Sequence, residues 1–450
     1  SAIVSAERKL WLGLLTLLAV SFSVLLWVGT EIHRQMPPIP AAVVSSTGET
    51  VFTRADIETG RQVWQSIGGH QLGSIWGHGA YVAPDWTADW LHREALAWLN
   101  QEAARINGQE FSAQPEDVQA SLVAALTPRI RANTYDANTD QVTLEPSRVA
   151  AIRYVATHYD ALFGDAPALT DLRRAYAMKN GTVAEAAHRQ ALTAFVWWTA
   201  WSAVTQRAGQ EISFTANWPY EPLVGNTPPT SLFVWTSFSV LFLLAGIALL
   251  GWYHATHKEE APTRLPEHDP LADVVVTPSM RATAKYFWVV IALFLVQILL
   301  GAFTAHYQVE GHDFYGIALS EVLPYSLTRT WHTQLAVLWI ATAWLGMGLY
   351  IGPAISGHEP KFQRLGVNVL WVCLLVIVVG AFAGQWFAVM QKLGLANNFW
   401  FGHQGFEYVD LGRFWQWFLF LGLLIWLTLV GRCLVPAIRR GGEAKSITTL

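Results

Sequence analysis

A chain of 450 residues that is 52% hydrophobic, only 14% charged and carries 23 tryptophans is too apolar and aromatic for a water-soluble globule, so a membrane protein is expected. Its formal charge of −4 and the lack of a Lys/Arg-rich run interleaved with aromatics exclude a nucleic-acid binder. Both cysteines, Cys373 and Cys433, lie in strongly apolar runs, which excludes a disulfide framework or a cysteine-ligated metal.

The first stretch of about 20 apolar residues, at 10–31, follows Arg8 and Lys9. It is too long for a signal peptide and no clear small-residue cleavage site follows it directly, so it reads as an anchor over 1–31. Pro37, Pro38 and Pro40 stiffen its exit. Residues 41–53 have the makings of a short hairpin, and helical patterning follows at 88–106, 147–164 and 184–206, the last preceded by Thr182 and Glu185 at the spacing of a capping box. Segment 32–229 is therefore a domain of about 200 residues with its own core, not a loop. Trp197, Trp198 and Trp201 near its end read as packing or interface anchors without chemistry.

Five more spans follow, at 231–253, 284–306, 330–352, 367–391 and 413–436. If the six alternate, Arg8 and Lys9, Lys258 to Lys285, Lys361 and Arg364, and Arg432 to Lys445 share one side, while the loops 307–329 and 393–412 carry almost no basic residues. Cationic loops stay in the cytoplasm, which puts both termini and the 255–283 loop inside and the 32–229 domain outside.

Three groups of residues invite chemistry. His332 begins an otherwise apolar span and reads either as an interfacial imidazole bonded to headgroups or as an axial haem ligand; spacing does not choose between them. His306, Glu310 and Phe314 follow at intervals of four and would share a face if the third span continued as a helix. Imidazole, carboxylate and phenyl could accept the protons of a quinol and hold its ring, although Gly311 argues for an ordinary polar loop instead. In the loop 398–416, Glu407, Asp410 and Arg413 stand among aromatics, either as a solvated cap to the last span or as oxygen ligands for calcium with an arginine for haem propionates.

The segments GHGAYVAPDWTADWLHRE at 77–94, NWPYEPLVGN at 217–226, RTWHTQLAVLWIA at 329–341 and GHQGFEYVDLGRFWQ at 402–416 together resemble the bacterial quinol-dependent nitric oxide reductases of the haem–copper oxidase superfamily, along essentially the whole chain. The resemblance implies a mainly α fold: a polytopic membrane helix bundle, six helices in this chain, with a periplasmic cytochrome c-like domain. In the related two-subunit enzymes a haem-attachment motif precedes the counterpart of GHGAYVAPD. Here Gly69-His70-Gln71-Leu72-Gly73 stands in that place and C-x-x-C-H occurs nowhere, so no haem c is expected and a bilayer quinol becomes the expected electron donor.

Carried onto matching positions, the resemblance makes His332 an axial ligand of haem b, and His306, Glu310 and Phe314 part of a quinol pocket. It makes Gly79 (through its carbonyl), Tyr81 and Glu407 ligands of a calcium that ties the outer domain to haem propionates, with Asp410 behind them. It implies a multi-pass protein of the bacterial inner membrane, in anaerobic respiration and denitrification, and is compatible with a homodimer. The family continues with further helices that hold haem b3 and non-haem iron, so the chain, including the truncated bundle at 284–450, is expected to be an N-terminal portion with no catalytic residue of its own. The rivals are an oxygen-reducing haem–copper quinol oxidase and a haem-free membrane sensor.

Overall fold

The first apolar run forms helix α1 (Ala2–Arg34), and its prolines end it where the chain leaves the apolar phase. The structure, a computed structural model, describes residues 2–257, 267, 272–311, 315–404 and 410–440. The hairpin expected at 41–53 is present as β1 (Ala42–Ser45) and β2 (Thr50–Thr53), antiparallel with Val43 opposite Phe52. Thr53 then caps α2 (Arg54–Ser66) in a reciprocal capping box with Asp56, followed by the single turn α3 (Gly69–Leu72) and the two-residue pair β3 (Ser74–Ile75) and β4 (His78–Gly79). Helices α4 (Trp86–Asn107) and α5 (Glu116–Arg131) lead to β5 (Tyr135–Asp136) and β6 (Gln141–Leu144). β6 pairs in parallel with β1, giving the sheet order β2-β1-β6-β5. α6 (Pro146–Phe163), α7 (Thr170–Ala175) and α8 (Ala186–Val204) complete this extramembrane domain.

Its core is built from indoles. Trp64, Trp86, Trp90, Trp98, Trp197 and Trp201 are each less than 2% exposed. Trp86 meets Trp64 and Tyr159 edge-on at 6.0 and 5.9 Å and packs 5.2 Å from Phe163, the offset geometries that ring quadrupoles favour. The tryptophans at 197, 198 and 201 are thus packing residues, not interface anchors. The capping box expected at Thr182 and Glu185 is not formed: the Thr182 hydroxyl donates to Lys179 O at 2.7 Å, and α8 starts after Glu185, whose side chain makes no cap bond. The local pattern marked the turn, and the turn's own hydrogen bonds took the hydroxyl.

A buried ion pair crosses this core. Arg148 Nε donates to Glu94 Oε1 at 2.7 Å, with side chains 4% and 0% exposed, and Trp90 Nε1 donates to the other carboxylate oxygen at 2.9 Å. Removing one partner strands a charge away from water, which costs about 3–5 kcal/mol. Arg148→Ala is therefore expected to lower the unfolding temperature and the hydrogen-exchange protection of α4 in the full chain, and Glu94→Leu with Arg148→Met to restore most of it. If Arg148→Ala leaves both unchanged, the pair does not support the core.

The remaining helices are α9 (Thr230–Thr256), the short α10 (Pro278–Ala282), α11 (Ala284–Glu310), α12 (Tyr325–Ser356), α13 (Gln363–Val389), the short α14 (Leu395–Phe401) and α15 (Arg413–Arg440). With α1, five of them give six helices among the described residues that are long and apolar enough to cross a membrane, at the six places expected. The apolar stretches of α1 and α9 contain no buried residue, whereas α11, α12, α13 and α15 share apolar cores. Cys433 is buried in this bundle and Cys373 half-buried. The extramembrane domain sits on one end of the bundle: Tyr307 and Tyr325 join its core, Asn180 N donates to Glu321 Oε1 at 3.0 Å, and Gln391 Nε2 to Ser66 Oγ at 3.2 Å.

Candidate functional site

His332 lies in the second turn of α12, against α11. Its Nδ1 is 2.9 Å from the backbone carbonyl of Gln297; a carbonyl only accepts, so Nδ1 carries the proton and the lone pair resides on Nε2. Among the described residues Nε2 has no hydrogen-bond partner. Gln297 grips from both sides, since its Nε2 donates to His332 O at 3.3 Å and its Oε1 accepts from Trp339 Nε1 at 2.7 Å. Gly301, one turn further along α11, makes room for the ring: a Cβ there would stand 2.8 Å from His332 Cε1 and 3.1 Å from Nδ1. This is the arrangement that orients an imidazole for a metal, with one nitrogen tied to a carbonyl and the other presented. Neither Gln297 nor Gly301 is legible as functional in the sequence, because nothing in the spacing links them to His332.

At the end of α11 nearest the extramembrane domain, His306 Nδ1 and Glu310 Oε2 are 3.1 Å apart, with side chains 41% and 40% exposed. They share the face expected of them. The helix ends there, at Glu310, with Gly311 at φ +72°; Phe314 lies outside the described residues. Tyr315, which the sequence did not single out, is in the group: its ring packs 5.1 Å from Phe303, 6.3 Å from His306 and 5.8 Å from Tyr307.

The third group lies at the junction of domain and bundle. Asp410 is buried, and its Oδ2 accepts from Gln71 Nε2 at 2.5 Å; Arg329 Nη1 donates to the Gln71 amide oxygen. Thr330 Oγ1 lies 2.8 Å from His403 Nε2 and donates to Asp410 Oδ2 at 3.5 Å. Burial pushes His403 down to about 3 and Asp410 up to about 7, so their 3.6 Å approach is not an ion pair at neutral pH. Among the described residues Asp410 Oδ1 has no hydrogen-bond partner, an orphan in a polar pocket of the kind a cation or water satisfies. Gly79, at φ +142°, is held so close to the 70–74 turn that a Cβ would stand 2.4 Å from Gly73 O. Tyr81 is 73% exposed, and its hydroxyl donates to Gly77 O at 3.4 Å. Glu407 lies outside the described residues, and Arg413 bonds Gln416 at 3.1 Å. Among the described residues no three His, Cys, Asp or Glu side chains group to hold a metal ion.

Two family models match the chain: the cytochrome c-like domain of the nitric oxide reductase NorB over residues 40–220, and cytochrome c and quinol oxidase polypeptide I over 281–448. The nitric oxide reductase NorB of Stutzerimonas stutzeri is 32% identical over 93 residues, a match spanning 20% of this chain and 19% of that protein. The first family match begins at the hairpin and ends before α9, and the second runs from α10 past α15, so His332 and the His306–Glu310 pair fall inside it.

Proposed function

From a chain that belongs to the haem–copper oxidase superfamily as a NorB-like member, a multi-pass membrane protein, we propose that it forms the electron-accepting part of a bacterial quinol-dependent nitric oxide reductase. The observation that carries this reading is His332, an imidazole on an otherwise apolar membrane helix whose Nδ1–H is spent on Gln297 O and whose Nε2 has no partner among the described residues. Its donor set fits a haem iron, and His332 would hold the iron of haem b through Nε2. When bound, haem b supplies a one-electron carrier toward a haem b3 and non-haem iron centre.

The chain's own residues handle the donor. Oxidation of a quinol releases two electrons and two protons. His306 and Glu310, half-exposed at the end of α11 nearest the extramembrane domain, would take the hydroxyl protons, and Phe314 would hold the ring. The extramembrane domain would face the periplasm of the inner membrane, because the basic loops lie at the other ends of the helices. Loss of haem c is supported by the absence of a C-x-x-C-H motif and by the Trp64 ring, which would lie 2.2 Å from a Cβ at Gly69 and so fills the space beside the 69–73 segment. Gly79, Tyr81 and Glu407 would hold calcium, with Asp410 behind them. The orphaned oxygen favours a cation there; the exposed Tyr81 would have to turn inward.

An oxygen-reducing quinol oxidase would account for the match at 281–448, but the match at 40–220 is to a domain described for the nitric oxide reductase NorB, which favours nitric oxide. The full-length protein, reduced with quinol under nitric oxide, is expected to give one nitrous oxide and one water per two nitric oxide molecules. Oxygen uptake without nitrous oxide, or a preparation with no Soret band, overturns the reading.

A further inference from the structure

Between the far end of α1 and the extramembrane domain lies a groove of about 640 Å3. Val28 and Ile32 form its helix wall, Met36 just past the end of α1 continues it, and Phe214 and Trp218 form its domain wall. Because α1 has Arg8 and Lys9 at its other end and is apolar up to about residue 30, residues 27–36 mark the level where hydrocarbon gives way to headgroups. Trp27 and Trp218, 65% and 45% exposed, are aromatic side chains of the kind that settle at that level.

The groove's polar end is cationic. Arg207 Nε and Nη2 donate to Ser213 O and Phe214 O at 3.1 and 2.8 Å, and Nη1 donates to Gln35 Oε1 at 2.6 Å. A guanidinium has five N–H groups, so two remain, and among the described residues no carboxylate is within ion-pair distance of it. The acidic residue in the lining, Glu31, is already engaged, accepting from Arg34 Nη2 at 2.8 Å and Gln35 Nε2 at 3.2 Å. A held guanidinium with spare donors above an apolar, aromatic-walled slot matches an amphiphile with a phosphodiester head and hydrocarbon tails, in charge and in height.

We propose that this groove is a binding site for one phospholipid of the leaflet on the domain's side, its phosphodiester on Arg207 and an acyl chain along Val28 and Ile32. The site stands apart from His332 and from the quinol reading. The lipid would join α1, which otherwise buries nothing of its apolar stretch, to the domain.

The test is native mass spectrometry of the full-length protein in detergent, titrated with phosphatidylglycerol, with inorganic phosphate in a parallel arm. Wild type is expected to retain one lipid that survives delipidation, with phosphate alone failing to compete. Arg207→Gln should weaken retention at least tenfold, and Arg207→Lys should recover part of it. Ile32→Trp, which fills the slot without touching the Arg207 hydrogen bonds, should abolish retention. Equal retention in wild type and in either Arg207→Gln or Ile32→Trp overturns the proposal, as does full competition by inorganic phosphate.

Discussion

Alanine at position 332 is expected to abolish the low-spin haem signal of the full-length protein and to lower quinol-driven turnover by more than about 100-fold, beyond the 10–100-fold that loss of an outer-shell partner causes. The ground is an Nε2 without a partner among the described residues, on a ring whose other nitrogen is tied to Gln297 O. A milder companion isolates the geometry. Gly301→Ala removes no polar side chain and improves helix propensity, yet its Cβ would press on His332 Cε1 at 2.8 Å. The ring must turn, and haem occupancy or turnover should fall about 10- to 100-fold. Optical spectra, low-temperature electron paramagnetic resonance and haem-to-protein ratios measure both. An unchanged low-spin spectrum in His332→Ala would remove the haem assignment, whatever happened to activity.

The second large effect concerns Glu310. Its carboxylate holds His306 at 3.1 Å, so Glu310→Ala removes a proton acceptor and frees the imidazole's orientation together. Quinol-driven turnover should slow by about 100-fold or more, within the range for loss of general acid–base assistance. Turnover with an artificial one-electron reductant should be spared, because that donor brings no hydroxyl proton to dispose of. Equal slowing with both donors would place the defect downstream and end the quinol role for this pair. Glu310→Gln, which keeps the shape and removes the charge, should behave like alanine if proton acceptance matters and like wild type if only packing does.

The His306–Glu310 pair could be read from its interval of four because a helix brings such residues onto one face, and the structure keeps them there. α11 itself stops at Glu310, where Gly311 stands at φ +72°, a conformation that ends the helical repeat; Phe314, the third member of that reading, lies outside the described residues. Tyr315 escaped notice for the complementary reason. It has no helical register with Phe303, His306 and Tyr307, and reaches them only after the chain turns. The capping spacing at Thr182 and Glu185 failed likewise, since a hydroxyl that can cap a helix can equally close a turn.

By itself the sequence determined the six membrane-length helices, the separate domain between the first and second, its opening hairpin, and the polar side chains set into apolar surroundings. These are matters of local length, period and composition, which solvent partitioning reads residue by residue. Tertiary structure alone decided which nitrogen of His332 is left unused, that Gly301 makes room for the ring, and that Asp410 meets Gln71 across the junction. The hydrogen-bonded partners His332 and Gln297 are 35 positions apart along the chain, and Asp410 and Gln71 are 339 apart. No local period spans such distances; only the packing of α11 on α12, and of the domain on the bundle, brings the partners together.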